Sequence, residues 1–325
     1  MTKAALTRLR TPRSFGLFCM VAATSLGLLY MAQAGAPAIY LVVNALALLM
    51  GAAAVGLRWM SGRDADLPGQ VNLILGLTLL ATALFGTQAD GAARWVRVGG
   101  LSVQTSLIVL PPMLVAFARR RDSHATLGMV IAALALAIQP DRAMAGILAS
   151  ALAVLAVFSR DPRVLVPFLS AATAFGATLL RPDTLPAVPY VDQVLFTAFG
   201  VGVFAGIAVL GGAFLLIVPS VLGWKADRHT PEPHIIFGVV WLGTIVASAV
   251  GNYPTPVVGY GGSAVLGYAL SLALLPPLRH HAQAGVRPGD AHAAVAKIDG
   301  DMRLGIGGWS SWRRALALLQ QRVRS

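Results

Sequence analysis

Asp192 is the most isolated acid in this sequence: it follows Leu185-Pro186-Ala187-Val188-Pro189-Tyr190-Val191 and precedes another apolar run. A partly desolvated carboxylate in such surroundings has a raised pKa and suits a general base. An acid at a helix start is also accounted for by the macrodipole. Arg94 and Arg97 flank Trp95, ahead of Gln104-Thr105-Ser106. Guanidinium forks match phosphate or carboxylate groups, with snorkelling towards the interface as the alternative. Trp95 reads as an interfacial anchor.

Two further segments carry polar groups where apolar ones are expected. Gln139-Pro140-Asp141-Arg142 interrupts an apolar stretch, and its proline breaks the helix. An acid at such a break either lines a ligand cavity or caps the next helix and pairs with Arg142. Asn252-Tyr253-Pro254-Thr255-Pro256 is a stiff turn, and Gly259-Tyr260-Gly261-Gly262-Ser263 then opens a glycine-rich helix. Glycine there permits close backbone approach, to a ligand or to a neighbouring helix. No metal site is expected, because neither His229/His234 nor His280-His281 has ligand spacing. All six histidines read as solvated loop residues. The single cysteine, Cys19, forms no intramolecular disulfide and reads as a small core hydrophobe.

The elements that position these residues follow from composition. Of 325 residues, 57% are hydrophobic and 12% charged, and the mean hydropathy is +0.73. A soluble domain has about 25% charged residues, so an ordinary cytosolic globule is excluded. The sequence predicts an all-α polytopic membrane protein with about ten transmembrane helices. The expected spans are 14–32, 37–57, 70–87, 102–118, 125–138, 143–158, 163–180, 191–218, 235–251 and 259–278. The fifth and sixth are short and are expected to meet inside the protein.

The net charge of +12 comes from 25 Lys+Arg against 13 Asp+Glu. With both termini cytoplasmic, all but Arg94, Arg97, Arg142 and Arg181 of these cations fall inside, as the positive-inside rule requires. The charge therefore reports orientation in a membrane. No aromatic-basic reading motif accompanies it, so nucleic acid is not an expected partner. The chain divides into a basic N-terminus (1–13), a membrane domain (14–280) and a cytoplasmic tail (281–325). Within the tail, Trp312, Ala315, Leu316, Leu319 and Val323 line one face of an expected amphipathic helix near 310–324, suited to membrane lipids. The first apolar stretch, ending in Ala32-Gln33-Ala34, also fits a cleavable signal peptide.

Taken in order, these segments resemble the SEDS family of polytopic proteins, the RodA/FtsW/SpoVE group. Gly91, Ala92, Arg94 and Trp95, then Gln104, Thr105 and Ser106, match one family stretch. Gln139-Pro140-Asp141 matches a second, and Tyr260-Gly261-Gly262-Ser263 a third. Leu185 through Ala198 is similar to a fourth, which would place Asp192 at the family's catalytic aspartate. The resemblance implies a peptidoglycan glycosyltransferase that polymerises a lipid-linked disaccharide precursor in cell shape or cell division. It implies Asp192 as catalytic base. Arg94, Trp95, Arg97, Gln104, Ser106, Gln139, Asp141, Tyr260, Gly261, Gly262 and Ser263 would be substrate-binding residues. A class B penicillin-binding transpeptidase is the expected partner, and a divalent cation a possible cofactor without a motif to hold it. Leu107 and Leu110 replace the family's Glu and Lys, and the loop before Asp192 is shortened. These departures favour the alternatives of a non-catalytic scaffold of wall synthesis or, less readily, a transporter of the lipid-linked precursor.

Overall fold

A computed structural model describes residues 12–61, 66–89, 91–182, 185–227, 229–259 and 261–276. Tyr260 and the expected tail helix lie outside the described residues. The described residues form eleven helices and one three-stranded sheet. In chain order these are α1 (Pro12–Gln33), α2 (Ala38–Met60), α3 (Gly69–Phe85), β1 (Thr87–Ala89), β2 (Ala92–Val98), β3 (Leu101–Gln104), α4 (Thr105–Arg119) and α5 (Ser123–Ile138). There follow α6 (Arg142–Phe158), α7 (Pro162–Leu179), α8 (Val194–Val201), α9 (Val203–Ala226), α10 (Glu232–Val250) and α11 (Gly262–Ala273).

Five helices, α1, α2, α7, α9 and α10, are long and apolar enough to cross a membrane, and α3, α4, α5, α6 and α11 are shorter apolar helices. Their outward faces carry large exposed hydrophobics such as Leu49, Met50, Leu169 and Phe214. Lipid tolerates that exposure and water does not. The centre is closed by an aromatic trio. The Tyr268 ring lies 5.0 Å from Trp241 and 5.1 Å from Phe237, edge-on to both. Trp241 donates to Ser271 Oγ at 3.2 Å, and the Tyr268 hydroxyl to the Leu216 carbonyl at 3.2 Å. Each polar tip is thus satisfied inside an apolar core, joining α9, α10 and α11.

The expected spans correspond to helices, with three corrections, the simplest being that the expected span 259–278 is helical only over Gly262–Ala273 among the described residues. The expected span 191–218 is two helices: α8 ends at Val201, Gly202 adopts extended backbone, and α9 runs on to Ala226. The expected span 102–118 starts late, at Thr105, because residues 101–104 belong to an antiparallel sheet ordered β1-β2-β3. Gly99 and Gly100 have φ of +56° and +83°, the pair of left-handed residues that a tight hairpin needs. Successive short connections alternate between the two ends of the bundle. Segments 86–89, 91–104, 139–141, 180–182, 185–193 and 251–259 share one end, and 66–68, 120–122, 159–161 and 229–231 the other.

Candidate active site

The sheet register decides which side chains face inward. Thr87 pairs with Trp95, Trp95 with Gln104, and Arg97 with Ser102. Side chains alternate along a strand, so these five share one face. That face forms one wall of a cavity of about 430 Å³. Leu185, Pro186, Val188, Val191 and Asp192 supply a second wall, and Asn252, Tyr253 and Pro254 a third, with Ser263 and Leu107 at the helix starts behind them. A cavity of this size suits a small ligand or part of a larger one.

Asp192 sits in the connector before α8, not within a helix as the expected span had it. It is 8% exposed. Its Oδ2 accepts from the Val188 backbone N–H at 2.8 Å, a bond within its own loop rather than a helix cap. The connector is clasped to the opposite segment. Asp192 forms an isolated antiparallel bridge with Pro254, Thr255 N–H donates to the Val191 carbonyl at 2.9 Å, and Asn252 donates to the Leu185 carbonyl at 3.0 Å. Tyr190 and Gln193 have φ of +63° and +58°, an unfavourable region for non-glycine residues. The clasp holds them there, on either side of the acid. Burial pushes the Asp192 carboxyl above the usual range, against the lowering effect of the Val188 bond.

The two arginines differ. Arg94 is 3% exposed, donates to the Pro140 carbonyl at 2.5 Å and has its guanidinium carbon 5.8 Å from the centre of the Tyr253 ring. It borders the cavity while bracing the chain break between α5 and α6. Arg97 is exposed on the cavity face. No ion pair joins Asp192 or Arg97 to a described residue.

Behind the cavity lies a buried network. Asp141 is fully buried. Its Oδ1 accepts from Met144 N–H at 3.2 Å, capping α6, and its Oδ2 accepts from Ser106 Oγ at 2.9 Å and Gln104 Nε2 at 3.4 Å. Gln104 N–H in turn donates to Ser263 Oγ at 3.1 Å. The starts of α4, α6 and α11 are thereby tied together. Arg142 does not pair with Asp141; it donates to the Arg181 carbonyl at 2.8 Å. Gln139 is fully buried and donates to the Leu79 carbonyl at 2.9 Å.

Of the residues singled out in the sequence, Asp192, Arg94, Trp95, Arg97, Gln104 and Ser263 line the cavity. Ser106, Gln139 and Asp141 stand behind it as internal hydrogen-bonding groups. Gly261 and Gly262 pack tightly, the first against its own turn at Val258 and the second against Val43 of α2. Thr87, Gln88 and Ser102, which the sequence did not single out, and Asn252 and Tyr253, which it marked only as part of a stiff turn, also line the cavity. The Gly99-Gly100 pair between valine-rich runs is the hairpin signal that points to the first three. His234 corrects the expectation of solvated histidines: it is fully buried in the first turn of α10, where its ring fills the space above Gly223.

A helical membrane protein with a largely apolar cavity at one end, carrying a few charged and polar side chains, is the class this geometry defines. No family model and no curated protein sequence matches the chain. Solved structures do match. The rod shape determining protein RodA of Thermus thermophilus is 18% identical with a TM-score of 0.54, over 80% of this chain and 94% of that one. An aspartate-to-alanine mutant of it is 19% identical with a TM-score of 0.52. A chain from a peptidoglycan synthase complex, described as coordinating polymerization and crosslinking, is 19% identical with a TM-score of 0.54 over 80% of this chain and 95% of that one. The chain therefore has a RodA-like, SEDS-type fold.

Proposed function

We propose that this chain is a glycan polymerase of cell-wall synthesis, acting on a lipid-linked disaccharide at the outer face of the inner membrane. The observation that carries the proposal is the convergence of Asp192, Arg94 and Arg97 on one cavity of a RodA-like fold. The charge distribution supports placing that end of the bundle at the outer face. In the proposed reaction the acceptor hydroxyl loses its proton to the Asp192 carboxylate and its oxygen bonds to the donor's anomeric carbon. The bond from that carbon to the polyprenyl pyrophosphate breaks, and the guanidinium groups of Arg97 and Arg94 meet the negative charge that leaves.

A raised pKa suits this task, because it makes the base stronger while leaving it ionised above its own titration. Asp192 is the one carboxylate among the described residues lining the cavity. Such a donor set holds a divalent cation only with ligands from the substrate, and no step is assigned to one. A transpeptidase partner is proposed from the likeness to the synthase complex. Purified protein, with and without that partner, should form glycan strands from the precursor, and Asp192→Asn should abolish the product. Undiminished synthesis by this variant would overturn the proposal. A non-catalytic scaffold is the second reading, favoured by Leu107 in the cavity wall. It requires partner binding without synthesis by the unaltered protein.

A further inference from the structure

Six tryptophans occur in the chain, and two of them show opposite uses of the ring. Trp241 is fully buried, donates to Ser271 and packs edge-on against Tyr268. Trp95 is half-buried at the cavity wall, and its indole makes no hydrogen bond or ring contact with any described residue. An interfacial anchor belongs on the outward face of the sheet, where Val96 and Val98 lie exposed. The register puts Trp95 on the inward face, in one row with Thr87 and Gln104 and two residues from Arg97.

We propose that Trp95 is a stacking platform for a pyranose ring, and that Trp95 and Arg97 divide one ligand, sugar on the indole and phosphate on the guanidinium. The C–H face of a pyranose is weakly positive and apolar, so it complements the negative face of an aromatic ring. Hydroxyls of Thr87 and Ser102 border the platform on neighbouring strands and can donate to or accept from the sugar's rim. Residues two apart on a strand are separated by about 7 Å. The flexible Arg97 side chain bridges that distance to a phosphate on the stacked ring. Asp192 lines the same cavity. The assignment deepens the proposed function and rests on it, because the ligand is taken to be a saccharide on a pyrophosphate carrier.

The test measures binding of two probes to the full-length protein in lipid nanodiscs: a polyprenyl pyrophosphate, and the same carrier bearing an N-acetylated disaccharide. A pyranose covering about 60 Å² of indole corresponds to roughly tenfold in Kd at about 25 cal/mol per Å². Trp95→Leu should therefore weaken the sugar-bearing probe about tenfold and leave the bare carrier unchanged. Trp95→Phe should restore most of the loss, and Arg97→Ala should weaken both probes by the same factor. Should Trp95→Leu fail to fold, the unaltered protein decides through fluorotryptophan labelling, with the Trp95 resonance assigned by its loss in Trp95→Phe. That resonance should move with the sugar-bearing probe and stay with the bare carrier. Equal effects on the two probes, in either experiment, overturn the role of Trp95 and leave the proposed function standing. Failure of the unaltered protein to bind either probe overturns both.

Discussion

The two polar ends of the bundle handle charge in opposite ways. At the end away from the cavity, acids find partners. Asp66 pairs with Arg119 at 2.7 Å, and Arg119 also donates to the Leu274 carbonyl at 2.6 Å. Asp122 pairs with Arg120 at 3.2 Å and caps α5 through Ala125 N–H at 3.0 Å. Asp161 caps α7 through Arg163 N–H at 2.8 Å. The Ala125 hydrogen bond, more than any other group, holds Asp122 below the usual carboxylate range. Burial acts to raise Asp227, but hydrogen bonds from Thr230 and His229 outweigh it and leave that acid low as well. At the cavity end, Asp192 is raised by burial and has one neutral backbone donor. Structural acids are made comfortable as anions, whereas the acid in the cavity is held in surroundings that favour its protonation.

The largest effect that would sharpen this contrast is on Asp192. Asp192→Asn should lower glycan synthesis about 10²- to 10⁴-fold, the usual weight of a general base, without lowering the melting temperature at neutral pH. The sign follows from linkage. A carboxyl whose folded pKa is raised contributes stability below its unfolded pKa and loses it as pH rises through the folded value. Removing the charge therefore costs nothing at neutral pH. The acid limb of the synthesis rate should also lie above the ordinary aspartate value of about 3.9. A limb at or below that value would break the comparison.

Asp141 comes next. It lies behind the cavity yet is partnered like the acids of the far end, so its loss should show in stability. Asp141→Ala removes a helix cap and leaves buried donors on Ser106 and Gln104 unpaired. Thermal or denaturant unfolding in detergent should report a loss of about 2–4 kcal/mol. Asp122→Ala should cost about 1 kcal/mol, as a lost cap does, with synthesis per folded molecule unchanged. The depressed Asp122 carboxyl contributes stability above its unfolded pKa and loses it as pH falls through its folded one. The variant's deficit should accordingly vanish in acid. Asp66 is 44% exposed, and Asp66→Ala should move stability by no more than about 0.5 kcal/mol. A larger effect would mean that the far end depends on this ion pair for its stability.

The resemblance of the sequence to the SEDS family drew attention to Asp192 and the arginines, but it treated Arg94 and Arg97 alike. Spacing alone gives both a guanidinium near Trp95. Alternation along β2 then sends Arg97 to the open face, while Arg94 is buried against the Pro140 carbonyl. Asp141 was ambiguous for a related reason. An acid at a helix break looks the same in sequence whether it meets a ligand or a cap, and its partners Ser106 and Gln104 lie 35 and 37 residues away. His234 was misread because a histidine near a helix start looks solvated until the neighbouring glycine that makes room for it, Gly223, is seen to face it.

The sequence by itself determined the class of fold. Lipid permits backbone to cross only when its hydrogen bonds close within the segment, so long apolar runs separated by short polar connections have few other solutions. It also singled out the few ionised groups on the expected outer side, because charge is scarce there. Only the tertiary structure decided which of those groups are partnered and which face the cavity. Hydrogen bonding and burial depend on contacts between the starts of α4, α6 and α11 and the segments 185–193 and 252–259. Those contacts are set by packing across the whole chain and leave no local pattern. The sheet register settled Trp95 in the same way, turning inward a ring that composition alone places at a membrane surface.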